Sequence, residues 1–343
     1  MSEIAEPIGG PFFEDLRVGQ MVDTAPALTL TEGLAALHRA IVGDRLRLAL
    51  DAELSRSVTG SSLTGSILTG SILAHPALVW DVAIGQSTLV TQRVIANLFY
   101  RGLVFRRAPE IGDTLRTTTE VVALRQNRAR AGRPNTGLAV LRIRTEDTRG
   151  REILDFWRCA MIPLRDPAGQ TNHDADLEAI GAPIDANALS APIQSWNLGA
   201  FRTAVSGPHF ADLVPGTKWE IAGGDVVTSA PELARLTLNI AMTHHDAAAS
   251  PAGRLVYGGH TIGLAMAQAS RALPNLVTVV GWHSCDHLAP VREGDTLRST
   301  LEVEQGDVLR DGGGLVHLRS RVSADRDGER QPVLDWRFIG VMA

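Results

Sequence analysis

The feature that most constrains this chain is an internal duplication. Phe13-Glu14-Asp15-Leu16 with Gly19 returns 197 residues later as Phe210-Ala211-Asp212-Leu213 with Gly216. Ala108-Pro109 followed by Gly112-Asp113-Thr114-Leu115-Arg116 returns as Ala289-Pro290 followed by Gly294-Asp295-Thr296-Leu297-Arg298. Gly137-Leu138, Leu141-Arg142 and Arg144 return as Gly314-Leu315, Leu318-Arg319 and Arg321. Leu154-Asp155 before Trp157-Arg158 returns as Leu334-Asp335 before Trp336-Arg337. Chance turn chemistry explains any one of these pairs, but not four in the same order with offsets that drift by loop-sized amounts. Each copy spans roughly 130 to 155 residues, a domain rather than a solenoid repeat, so the chain is a fused pair. Residues 166–206 are rich in Pro, Gly, Asp and Ala, as a connection is. The expected units are therefore 11–165, a linker 166–206, and 207–343.

Length agrees: 343 residues are a little over two domains of about 150. Composition sets the class without naming a function. A hydrophobic share of 44% and a charged share of 21% fit a globular protein and exclude disordered, collagen-like and coiled-coil classes. The most apolar runs, Ile262 to Ala267 and Val277 to Trp282, are far shorter than the roughly 20 residues a bilayer requires. The opening MSEIAEPIGGPFFEDL has no basic stretch leading into an apolar one, and only Cys159 and Cys285 are present, so a reducing, cytoplasmic setting is expected. The net charge is −5, and apart from Lys218 the basic residues are dispersed arginines, so no nucleic-acid partner is expected.

The periodicity of the second copy predicts one buried helix over His260 to Leu273, with Ile262, Ala265, Met266, Ala269 and Leu273 at helical spacing and Pro274-Asn275 as its stop. Strands are predicted over Leu276 to Trp282, Thr296 to Val303, Gly314 to Val322 and Pro332 to Val341, with first-copy equivalents at Thr88 to Leu98, Thr114 to Leu124, Thr136 to Thr145 and Glu152 to Ile162. One long helix followed by an antiparallel meander is an α+β layer, a sheet wrapped on a helix.

The Phe-Glu-Asp-Leu-x-x-Gly opening, the Ala-Pro turn into Gly-Asp-Thr-Leu and this helix together resemble the MaoC-like (R)-specific enoyl-CoA hydratases and dehydratases, whose unit is the hotdog fold. The tandem copies resemble a double hotdog. Ala35-Ala36-Leu37-His38-Arg39-Ala40 to Gly43-Asp44-Arg45, with Tyr257-Gly258-Gly259-His260, look closest to the mesaconyl-CoA hydratase and actinobacterial double hotdog branch. The resemblance implies interconversion of a 2-enoyl-CoA and a 3-hydroxyacyl-CoA, with the CoA thioester as substrate and no separate cofactor or metal. An acyl-CoA is then the small-molecule partner, and a homodimer is left open.

The family signature, Gly-Asp-x-Asn-Pro-(Leu/Ile/Val)-His, sets an Asp and a His five residues apart to polarise a water. His244 stands where that histidine stands, whereas Asn239 replaces the aspartate; the first copy keeps Asp44 but has Ala49 in place of the histidine. A neutral imidazole can take the proton of the water, while an asparagine can only orient it. The resemblance also places an oxyanion donor at the start of the central helix, here Tyr257-Gly258-Gly259-His260, with the Gly258 N–H as the donor. Glycines admit a close carbonyl, and a helix start adds partial positive charge. The matching first-copy residues are His75-Pro76, and a proline has no N–H to give. The second copy is therefore the expected catalytic half.

Two other readings stay open. A hotdog thioesterase would use a carboxylate on the central helix, for which Asp81 is the candidate, and an eroded site would leave a non-catalytic acyl-CoA binder. His283, Cys285 and His287 alternate as zinc ligands on one strand face could, but the sequence offers no fourth ligand and the resembled family uses no metal. Arg125, Arg128, Arg130 and Arg133 either grip CoA phosphates or form a solvated hairpin. The doubled Leu63-Thr-Gly-Ser-Ile67 and Leu68-Thr-Gly-Ser-Ile72 reads as a loop expansion without assignable chemistry.

Overall fold

The computed structural model describes residues 9–60, 71–181, 184–249, 252–310 and 312–343, so most of the Leu63–Ile72 doubling lies outside the described residues. Its strands are β1 (Met21–Val22), β2 (Leu28–Thr29), β3 (Ala96–Phe105), β4 (Thr114–Gln126), β5 (Thr136–Glu146) and β6 (Glu152–Pro163) in the first copy. The second copy supplies β7 (Lys218–Glu220), β8 (Asp225–Val226), β9 (Leu276–His287), β10 (Thr296–Val308), β11 (Gly314–Arg326) and β12 (Glu329–Met342). The sheet order β1-β4-β5-β6-β3-β9-β12-β11-β10-β7 is a palindrome of equivalent strands, with β2 on β4 and β8 on β10. The halves meet where β3 pairs antiparallel with β9, Tyr100 opposite Cys285 and Leu103 opposite Trp282. This is the tandem hotdog that the duplication implies.

The recurring motifs have structural causes. Phe13 and Phe210 each lie against the first glycine of a strand pair, Gly137 and Gly314, where a Cβ would fall within 2.3 Å and 2.1 Å of the ring. The Asp of each motif accepts the backbone N–H three residues before it, Phe12 at 2.9 Å and His209 at 2.8 Å. Asp113 and Asp295 close their turns the same way, on Glu110 and Arg292. Short polar side chains that bond their own backbone fix such corners.

Two helices fill the sheet. Every residue of the first, Pro76–Gln86, is buried, which accounts for its apolarity all round. The second, Gly258–Ala272, begins two residues earlier than its periodicity predicts. Around them Trp80, Trp282 and Trp336 form an aromatic cluster with ring centroids 4.7 to 6.1 Å apart, beside β3's Tyr100. The strand predicted over Thr88 to Leu98 is a correction: Ser87–Val90 is a 3-10 turn, and β3 starts at Ala96. The hydroxyls of Ser87 and Thr88 donate to the Ile84 and Gly85 carbonyls, so the β-branched run finishes the helix instead. Residues 166–206 carry two short helices, Ala186–Ser190 and Leu198–Ala204, whose Leu189, Leu198 and Phe201 pack on Val277, Val280 and Ile339 across the outer sheet face.

Gly85 faces the Thr237 carbonyl so closely that a Cβ there would stand 1.8 Å from the oxygen. Backbone cannot yield as a flexible side chain does, so Gly85→Ala is expected to destabilise by about 1–3 kcal/mol or more, read as a lowered urea midpoint. An unchanged midpoint would show that this contact does not constrain the fold.

Candidate active site

A cavity of about 360 Å³ opens between the copies. Its floor comes from the first copy, with Ile84, Thr88, Tyr100 and Arg158; its other wall comes from the second, with Asn239, His244, Tyr257, Gly258 and His287. Its size and mostly apolar wall with few polar groups are those of a small-molecule site.

His244 sits on the single turn Met242–His245 and is buried. Its Nδ1 donates to the Leu255 carbonyl at 2.8 Å, which makes Nε2 the unprotonated acceptor. Burial, helped by the neighbouring His245 and Arg158 charges, pulls its pKa down to about 4 against the opposing pull of the Leu255 carbonyl, so the ring is neutral at pH 7. Its ring lies 5.6 Å from that of Tyr257, centroid to centroid. Asn239 Oδ1 accepts the Ala241 N–H at 3.0 Å, and the Asn239 carbonyl accepts from His245 Nε2 at 2.6 Å. The side-chain oxygen that could have accepted a hydrogen bond from the water thus holds the turn, and the amide N–H groups remain to donate.

Gly258 is the first residue of the second central helix, and its N–H has no backbone partner among the described residues. Its hydrogen in place of a side chain is required, since a Cβ would stand 2.7 Å from His287 Nε2. Tyr257 donates its hydroxyl to the Asp81 carbonyl at 2.9 Å, which pins the helix start. In the first copy the same place is closed: Pro76 has no N–H, and His75 Nδ1 accepts that of Ala77 at 3.0 Å.

The structure brings His244, Asn239, Tyr257 and Gly258 together and leaves Gly259 and His260 off the cavity wall. Gly259 lies against Asp81, where a Cβ would stand 2.0 Å from Oδ1. His260 is fully buried with both ring nitrogens unpartnered, and burial holds its pKa at about 4. Two residues beyond Gly258, about 200° of helical rotation turns it away from the opening and toward His38. The thioesterase candidate is corrected likewise. Asp81 is sealed between the helices with Oδ2 3.0 Å from His38 Nε2, away from the cavity, and burial raises its pKa.

The zinc alternative fails geometrically. A bulge in the β9–β12 register at His283 turns that ring outward onto His317, at 2.8 Å, while Cys285 enters the core. His287 reaches the cavity instead, with Nε2 unpartnered and its pKa lowered by burial to about 4. His287 and Arg158 are the site residues that motif reasoning missed.

No protein-family model matches the chain. The solved structure of RV0216, a conserved hypothetical protein of Mycobacterium tuberculosis described as having a double hotdog fold, is 53% identical with a TM-score of 0.89, covering 98% of this chain and 99% of that one. A MaoC domain protein of Chloroflexus aurantiacus, assigned as a dehydratase, superposes with a TM-score of 0.83 at 25% identity over 98% of this chain and 99% of that one. The chain is a double hotdog protein. Mesaconyl-CoA hydratase of Cereibacter sphaeroides is 28% identical to this double hotdog protein over 316 residues, covering 90% of this chain and 88% of that enzyme. No described helix is long and apolar enough to cross a membrane.

Three histidines with pKa values near 4, the buried His244 and His260 and the half-buried His287, give this fold an acid liability. Unfolded histidine titrates near 6.5, so between about 6.5 and 4 the unfolded chain binds more protons, and stability is lost as pH falls through that window. The urea midpoint is expected to drop between pH 7 and pH 5, and the drop to shrink in His260→Leu. Equal midpoints at the two pH values would contradict these assignments.

Proposed function

We propose that this chain is a CoA-ester hydratase or dehydratase that interconverts a 2-enoyl-CoA and a 3-hydroxyacyl-CoA in the cavity of the second copy. The observation that carries the reading is the Nδ1 bond of His244 to Leu255, which leaves an unprotonated Nε2 at a cavity whose wall includes Gly258, its N–H without a backbone partner among the described residues. The kinship with a mesaconyl-CoA hydratase and a dehydratase supports the reaction class.

In the hydration direction, His244 Nε2 takes a proton as the water oxygen bonds to Cβ. The Cα=Cβ pair shifts to the bond between Cα and the thioester carbon as the carbonyl pair moves onto oxygen, giving an enolate that the Gly258 N–H and the helix start stabilise. The enolate collapses as Cα takes a proton back from the imidazolium. One histidine thus performs both transfers in place of an acid–base pair, and the Asn239 amide orients. Its depressed pKa makes the imidazolium a ready donor to carbon. The first copy supplies the floor rather than a second active centre.

The CoA tail leaves toward an arginine cleft of about 800 Å³, which shares Ile95 and Leu98 with the cavity and is lined by Arg125, Arg128, Arg130 and Arg133. No carboxylate pairs with these four guanidiniums among the described residues, and Arg suits phosphate oxygens.

His244→Ala is expected to lower kcat about 10²–10⁴-fold for enoyl-CoA hydration, followed by the loss of enoyl absorbance, with circular dichroism unchanged. Wild-type activity in that variant would remove the mechanism; release of free thiol would favour hydrolysis, and binding without turnover an acyl-CoA binder. Replacing Arg128, Arg130 and Arg133 together by Glu is expected to raise KM for CoA substrates at least about 10-fold and to leave pantetheine thioesters unaffected. An unchanged KM would place the phosphates elsewhere.

A further inference from the structure

His287 lines the cavity, and the hydration mechanism does not use it. Its Nε2 is buried without a partner, and its ring centroid stands 5.8 Å from that of Tyr100, edge to face. A Cβ on Gly258 would fall 2.7 Å from that nitrogen, so the imidazole lies against the first residue of the second central helix. The Gly258 N–H, which the mechanism gives to the thioester oxygen, has no backbone partner among the described residues. Two open polar groups thus stand side by side on one wall. A buried polar atom without a hydrogen bond is costly, and folded proteins keep few of them.

Strand register shows what this histidine replaces. On β9 Asp286 lies opposite Asp335 and His287 opposite Leu334; on β3 Val104 lies opposite Asp155 and Phe105 opposite Leu154. Leu154-Asp155 and Leu334-Asp335 are equivalent in the duplication, so His287 takes the place of Phe105. Phe105 is 1% exposed and packs in the core, its ring centroid 6.4 Å from that of Trp80. Asp286 pairs with the partly exposed Arg101 at 2.6 Å, and strand alternation then sends His287 to the other face, toward the cavity. An apolar ring satisfies packing at this register in the first copy; the second copy has a nitrogen there, beside the start of its own helix.

The two histidines of the wall also differ in what holds their protons. His244 donates its Nδ1–H to the Leu255 carbonyl, so its Nε2 accepts. No such carbonyl fixes His287: desolvation alone moves its pKa, down to about 4, and the ring is neutral at pH 7. A neutral imidazole carries one N–H, and it polarises a carbonyl by donating a hydrogen bond without giving the proton up.

We propose that His287 is a second oxyanion donor, its Nε2–H and the Gly258 N–H together holding the thioester oxygen of the acyl-CoA. This rests on the acyl-CoA reading above and adds a catalytic residue to it. The proton stays on nitrogen throughout, so His244 remains the base, and the second donor bears on the oxygen where enolate charge develops. Gly258 and His287 act as one unit, because a side chain at 258 would displace the imidazole from the N–H.

The test has a binding arm and a kinetic arm, both on the whole protein. Butyryl-CoA has no double bond to hydrate, and isotope-edited infrared difference spectroscopy reads its thioester carbonyl stretch. The stretch is expected to fall in frequency on binding to wild type and to return part of the way toward its free value in His287→Phe, which installs the residue of the first copy. In enoyl-CoA hydration His287→Phe is expected to lower kcat about 10²–10³-fold with KM little changed, and His287→Gln, which keeps a donor, to recover at least about 10-fold of that loss. A carbonyl stretch that is the same in wild type and His287→Phe would overturn the proposal whatever the rates show. Equal losses of kcat in the Phe and Gln variants, with circular dichroism unchanged, would assign the effect to ring packing and equally overturn it. A stretch that depends on His287 in a protein that hydrates no enoyl-CoA would overturn the hydratase reading and leave the donor standing; wild-type kcat in His287→Phe would overturn this inference alone.

Discussion

The close approach of the two central helices is the contact on which the site depends. Gly259 rests on the Asp81 side chain, and Tyr257 reaches across to the Asp81 carbonyl. Any side chain at 259 would push the helices apart and swing the start of the second helix away from the floor built by the first copy. Asp81 is in turn held by His38, so the buried acid that sequence reasoning entertained as a hydrolytic group works as a spacer and strut. Its fully buried, partly unpartnered carboxyl is tolerated because burial favours its protonated form.

Around that seam the two copies have diverged in a way that suits one cavity. The second helix starts with Tyr257-Gly258 and offers an open N–H; the first starts with His75-Pro76 and offers none, since His75 consumes the next donor and leans with its other nitrogen on Asp44. The acid of the resembled signature is thus preserved in the first copy but engaged structurally. The histidine is preserved in the second, next to an asparagine whose carbonyl holds the turn. Neither half retains the pair, yet the cavity they share is lined by a neutral imidazole, the N-terminal turn of a helix and a buried guanidinium.

Much of this was legible in sequence because the duplication aligned the two copies without any relative. The Phe-x-Asp-Leu and Gly-Asp-Thr corners recur because the same backbone bonds recur, and the order of strands follows from them. His244, Asn239, Tyr257 and Gly258 were found as motif positions. Gly259 and His260 were carried along by adjacency, although a helix turns each successive residue by about 100°, away from the opening. The Thr88–Leu98 strand failed because hydroxyls at a helix end satisfy carbonyls locally, which β-propensity does not register. His287 was seen only as one of an alternating trio, since a bulge cannot be read from spacing. Arg158 faces inward because it takes the register place of Phe338, opposite Leu141 as Phe338 is opposite Leu318, which strand pairing shows and the matching of Trp-Arg dipeptides hides.

The central claim is that one histidine and one backbone N–H in the second copy add water across an enoyl thioester. Incubating a 2-enoyl-CoA with the protein in D2O and following the product by proton NMR tests it most directly. The account predicts a 3-hydroxyacyl-CoA with one deuterium at Cα and the thioester intact, and no such product from His244→Ala. Free CoA, or an unchanged enoyl signal with wild-type protein, would contradict it.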